Sequence, residues 1–96
     1  MRRNRPRRQD ANHAQIRDTL RDLCIAVEDT SDVGRGFPDL IVKTRKGTVL
    51  LVEVKDGEAP PSRRALTPDE EAFAGRWLSS YVVVSSVGEA IALAAR

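Results

Sequence analysis

A charged pair sits inside the most apolar run of this chain. Residues 49–55 read Val-Leu-Leu-Val-Glu-Val-Lys, and side chains in a strand alternate between its two faces. Leu50, Val52 and Val54 therefore take one face, while Glu53 and Lys55 share the other. An acid and an amine in so apolar a strand are costly unless something compensates them. Upstream, Gly36-Phe37-Pro38-Asp39-Leu40-Ile41-Val42 puts another carboxylate at the start of a second apolar strand. The turn signal Arg45-Lys46-Gly47 between the two runs predicts an antiparallel hairpin. That pairing brings Asp39 and the Glu53/Lys55 end to the same edge of a sheet. Two carboxylates and a lysine meeting there point to a divalent metal and a phosphate as the compensating charges.

The rest of the chain reads around this hairpin. Asp10 or Asn12 can cap a first helix running to about Cys24, with Ile16, Leu20, Leu23, Cys24 and Val27 on its apolar side. A short strand follows, from about Cys24 to Asp29, and then a loop from Thr30 to Phe37. The second strand is Asp39 to Lys43 and the third, Thr48 to Lys55, is the central one. Asp56 to Ala65 reads as a polar loop. Thr67-Pro68-Asp69-Glu70 is a strong helix start: a capping threonine, proline at the first helical position and acids in the first turn. That helix turns Phe73, Trp77 and Leu78 inward and ends near Ser79. A valine-rich strand, Tyr81 to Ser85, and a last amphipathic helix, Val87 to Arg96, complete a mixed α/β sandwich around four strands.

Ninety-six residues make one domain. No apolar run approaches the ~18 residues of a membrane span, and the N-terminus lacks the apolar segment of a secretory signal. A lone cysteine, Cys24, fits a reducing cytoplasmic setting. The net charge of +2 hides an asymmetry, because Arg2, Arg3, Arg5, Arg7 and Arg8 lie in the first eight residues without an acid. Setting these five aside leaves 11 basic against 14 acidic residues, so a basic arm over residues 1–9 precedes a mildly acidic domain at 10–96. Such an arm either grips phosphates or serves solubility. An aromatic content of 4% argues against a single-strand binder built on stacking.

Pro38-Asp39, a gap, and Glu53-Val54-Lys55, set in this order of elements, resemble the PD-(D/E)xK nuclease superfamily. Gly36-Phe37-Pro38-Asp39-Leu40, Val52-Glu53-Val54-Lys55-Asp56 and the run from Pro60-Pro61 through Leu66-Thr67-Pro68-Asp69 look more closely like its VRR-NUC family, in the short stand-alone phage and bacterial form. The resemblance covers nearly the whole domain. It implies an αβββαβ core with a four-stranded mixed sheet flanked by helices, plus an extra C-terminal helix. It also implies Mg²⁺- or Mn²⁺-dependent cleavage of DNA phosphodiesters, by homodimers acting on branched DNA such as four-way junctions. Asp39, Glu53 and the backbone carbonyl of Val54 would hold the metal, with Lys55 beside the attacking water. Arg63 and Arg64, with the arm, would grip the substrate, and Arg35, Arg45 and Lys46 are further candidates.

Two positions depart from the family pattern. An acid is usual on the first helix, where the nearest match here is Gln15. A glutamine is usual where this chain has Glu70, which can supply the missing charge. Each residue also has a plainer role: Gln15 as a capping-box partner, Glu70 as a first-turn acid. His13 reads as a surface residue, Cys24 as a small core residue, and Phe73 and Trp77 as core or dimer contacts. The competing functional reading is a DNA-binding module that keeps the nuclease fold but does not cut.

Overall fold

A computed structural model of the chain describes residues 12–96. The arm, with Arg2, Arg3, Arg5, Arg7 and Arg8, and the alternative cap Asp10 lie outside the described residues. The elements run α1 (His13–Asp22), β1 (Ala26–Asp29), β2 (Leu40–Lys43), β3 (Val49–Val54), α2 (Pro61–Arg64), α3 (Pro68–Trp77), β4 (Tyr81–Val84) and α4 (Val87–Ala94), with a 3-10 turn at Leu78–Ser80. The strands lie side by side in chain order. β1, β2 and β3 pair antiparallel, and β4 joins β3 in parallel. Parallel pairing demands a crossover, and α2 and α3 supply it. This is the αβββαβ order with the extra C-terminal helix.

Period-two alternation divides the molecule into two sides. Leu40, Val42, Leu50, Val52, Val54 and Val84 face α1 and α4, where Ile16, Leu20 and Leu93 close the core. Leu51, Glu53 and Tyr81 take the other face, under α3. β2 and β3 are the inner strands and carry the most buried residues, as their unbroken apolar runs predict. Among the described residues no helix is long and apolar enough to cross a membrane.

Several local details differ from the sequence reading. α1 stops at Asp22 because Cys24 takes a left-handed conformation (φ 63°). The Ile25 amide donates to the Leu20 carbonyl and the Cys24 amide to the Arg21 carbonyl, the paired bonds of a Schellman ending. The reversal leaves Cys24 and Leu23 exposed rather than packed. Leu78 closes α3 at a positive φ (50°) and is 72% exposed, while Trp77 lies half-exposed against Phe73. Only Phe73 of the expected trio is inside. The segment Pro61–Arg64 is a helical turn, not part of a loop.

His13 is buried, contrary to the surface position expected, because it pins α1 to β1. Its Nε2 lies 3.2 Å from Asp29 Oδ2, which also accepts from Arg17 Nη1 at 2.8 Å. Asp29 Oδ1 accepts from the amide and hydroxyl of Ser31. Burial opposes the charge on Asp29, but the Ser31, Arg17 and His13 donors prevail and hold its carboxyl well below the usual range.

Candidate active site

Register builds the cluster. Leu40 pairs with Val52, and carrying that pairing one residue further sets Asp39 opposite Glu53. Like charges facing one another across a ladder repel. Asp39 gains one compensating bond, since its Oδ2 accepts from the Val54 amide at 2.9 Å. Glu53 and Lys55 are 4% and 7% exposed, on the face the alternation assigns them. Lys55 Nζ stands 2.9 Å from Glu70 Oε1 and 3.7 Å from Glu53 Oε2, so the ammonium bridges acids from two different elements.

Glu70 reaches this point through the start of α3. The Glu70 amide donates to Thr67 Oγ1, and the Thr67 amide donates to Glu70 Oε1, completing a capping box. Both roles considered for Glu70 are therefore present at once: a first-turn acid and a charge partner for Lys55. The loop before β2 brings α3 close. Gly36 adopts φ 81°, and a Cβ there would come within 2.6 Å of the Asp69 carbonyl. Only glycine permits that approach without strain. Phe37 then meets Phe73 edge-on at 5.2 Å, while the Thr30 amide holds the Asp39 carbonyl at 2.8 Å.

The electrostatics of the cluster are out of balance. Burial raises the Glu53 pKa, and the charges of Asp39 and Glu70 push it further, to about 9, against the smaller pull of Lys55. Glu70 is also penalised by burial, yet bonds from Thr67 and Lys55 lower its pKa. Glu53 Oε1 is buried and has no hydrogen-bond partner among the described residues. An unpaired oxygen on a carboxyl group crowded by other acids is suited to a cation. Among the described residues no group of three or more His, Cys, Asp or Glu is placed to hold a metal ion by itself. An open pair of carboxylates suits Mg²⁺, which commonly keeps waters and substrate phosphates as its remaining ligands.

A solved structure described as a VRR-NUC domain matches 88% of this chain and 91% of its own length, with a TM-score of 0.61 and 26% sequence identity. This chain shares the fold of that VRR-NUC domain. No family model and no curated protein matches it. The VRR-NUC domain is a nuclease-type domain, and DNA is the partner that type implies.

Not every candidate comes to the cluster. Gln15 is exposed on α1, and none of the bonds joining Asp39, Glu53, Lys55 and Glu70 involves it. Asn12 approaches instead, because its Nδ2 donates to the Lys55 carbonyl at 3.2 Å and the Ser85 carbonyl at 2.9 Å rather than capping α1. Arg63 and Arg64 are exposed on α2, shortly before the cap at Thr67. Arg45 and Lys46 are at the other end of the hairpin, where their amides hold the C-terminal end of α4. Four residues of strand, about 13 Å, separate Val49 at that end from Glu53.

Tyr81 is the member that sequence reasoning missed. It opens β4, pairs with Leu51 in parallel register and lies on the Glu53 face. Burial raises the pKa of its hydroxyl, as do the charges of Glu53, Glu70 and Asp39. The oxygen is buried and without a hydrogen-bond partner among the described residues. Its only sequence signal is a polar group heading a run of three valines.

Proposed function

We propose that this chain is a nuclease of the VRR-NUC type, a divalent-metal-dependent DNA endonuclease working as a homodimer on branched DNA. The observation that carries the reading is the apposition of Asp39 and Glu53 with Lys55 beside them and Glu53 Oε1 unpaired. Mg²⁺ or Mn²⁺ would be held by these two carboxylates and by the carbonyl of Val54, whose amide already faces Asp39. The cation supplies charge stabilisation for the phosphate and a lower pKa for water. Lys55, held between Glu70 and Glu53, places a fixed ammonium where negative charge develops during in-line attack. Glu70 keeps that ammonium in position from the rigid first turn of α3.

Arg63 and Arg64 hold the DNA backbone beside the cluster, and the arginines of residues 1–8 extend the grip. Such contacts add affinity without sequence preference. Dimerisation draws support from exposed apolar side chains at Trp77, Leu78 and Val83, which a second copy would cover. The test is incubation with duplex, flap and four-way-junction DNA in Mg²⁺, in Mn²⁺ or in chelator. Metal-dependent cutting that favours a branched substrate is the expected result. Binding to all three without cutting in either metal would make the protein a DNA-binding module on a nuclease fold.

A further inference from the structure

Three residues other than glycine take a positive φ among the described residues: Cys24, Arg35 and Leu78. Cys24 and Leu78 end α1 and α3, so the helices account for them. Arg35 ends no element. It stands between Gly34 and Gly36, both at φ 81°, in the turn closed by the Phe37 amide on the Gly34 carbonyl at 3.0 Å. With Arg35 (φ 58°) and Gly36 as central residues, this turn has the positive φ values of type I′, where asparagine and glycine are preferred. Arginine carries a Cβ penalty there that glycine avoids. Its side chain does not offset that strain within the fold. Arg17 pairs with Asp18 and Asp29, Arg21 and Arg45 donate to carbonyls, and Arg76 lies over Phe73. Arg35 is exposed and makes no such contact among the described residues.

The place of the turn suggests what the strain serves. Gly36 lies against the Asp69 backbone and Phe37 against Phe73, so the turn is seated on α3. Two residues past Phe37 the chain supplies Asp39 to the cluster, and α3 supplies Glu70 next to Asp69. DNA reaching the cluster passes the first turn of α3, whose acids Asp69, Glu70 and Glu71 repel it. A fixed cation at this point would offset them. We propose that Arg35 binds a phosphate of DNA lying across the cluster, with the strained turn fixing the arginine beside the first turn of α3. A guanidinium presents a planar fork of donors that matches two phosphate oxygens. Arg63 and Arg64 reach the same helix start from α2, just ahead of the Thr67 cap. The DNA is thus held from both connections that meet at α3. The proposal rests on the nuclease reading for the site it serves, but the contact itself needs neither metal nor cutting.

The experiment is a salt series of DNA binding, read by fluorescence anisotropy in chelator on duplex and four-way-junction DNA. The full chain is compared with Arg35→Gly, Arg35→Lys and, as a control at the far end of the hairpin, Lys46→Ala. Glycine suits φ 58°, so Arg35→Gly should have a Tm equal to or above the parent's. Its DNA affinity should fall roughly three- to ten-fold at low salt, with the log–log salt slope reduced by about one. Arg35→Lys keeps the charge and should keep the parental slope, and Lys46→Ala should match the parent. Parental affinity and slope in Arg35→Gly, an equal loss in Lys46→Ala, or a lost slope in Arg35→Lys would each overturn the proposal. So would a lower Tm in Arg35→Gly, which would give the guanidinium a structural role. The expected slope change in a protein that cuts no DNA in either metal would keep the phosphate contact and overturn only the nuclease reading. A parent that cuts, beside an Arg35→Gly that binds and cuts equally well, would do the reverse.

Discussion

Glu53 carries the central conflict of the molecule. Its position faces Asp39 across the ladder and is crowded by Glu70, and only Lys55 offsets them. Removing an acid from this group relieves repulsion, so Glu53→Gln and Asp39→Asn should both fold with a Tm no lower than the parent's. Both should lose cutting by about three orders of magnitude or more while binding DNA nearly as well, as read by single-turnover cleavage and fluorescence anisotropy. Glu70→Gln should behave differently. It keeps an acceptor for the cap but loses the charged partner of Lys55, and should cost about 1.5–3 kcal/mol in chemical denaturation. Sequence alternation is enough to place Glu53 and Lys55 on one face, because strand period is fixed. It could not choose between Gln15 and Asn12, since that depends on how α1 meets the ends of β3 and β4.

At the scale of elements, two joints set the site: the loop into β2 and the cap of α3. Gly36→Ala forces a methyl group onto the Asp69 backbone at a positive φ. It should cost about 1–3 kcal/mol and lower activity together with stability, because Glu70 and Asp39 separate as the loop shifts. Thr67→Ala should cost about 1 kcal/mol through loss of the cap. The cap was legible because threonine, proline and two acids each mark a helix start on local grounds. The hairpin was legible because its apolar runs flank a glycine turn. The ends of α1 and α3 were hidden, since Cys24 and Leu78 occupy left-handed positions where glycine is the usual signal. The place of Tyr81 was hidden too, because the parallel register of β3 and β4 is set by the crossover rather than by any local pattern.

The whole molecule depends on charge at both faces of its sheet. On the α1 side, Asp29 has a depressed pKa, so its contribution to stability is complete above the ordinary carboxylate range. That contribution fades as pH falls through the folded-state value. The parent should therefore lose Tm steeply below about pH 4, and Asp29→Asn should start lower at pH 7 and fall less. Removing residues 1–9 should weaken DNA binding most at low salt and flatten its salt dependence. An unchanged salt slope would assign those arginines to solubility. Sedimentation should show a dimer that Trp77→Glu converts to monomer. The most direct measurement is isothermal titration of Mn²⁺ into the parent, Asp39→Asn and Glu53→Gln. Saturable uptake by the parent, lost in both variants, is the predicted result. Equal uptake by all three, or none by the parent, would contradict the assignment of these two carboxylates as a metal site.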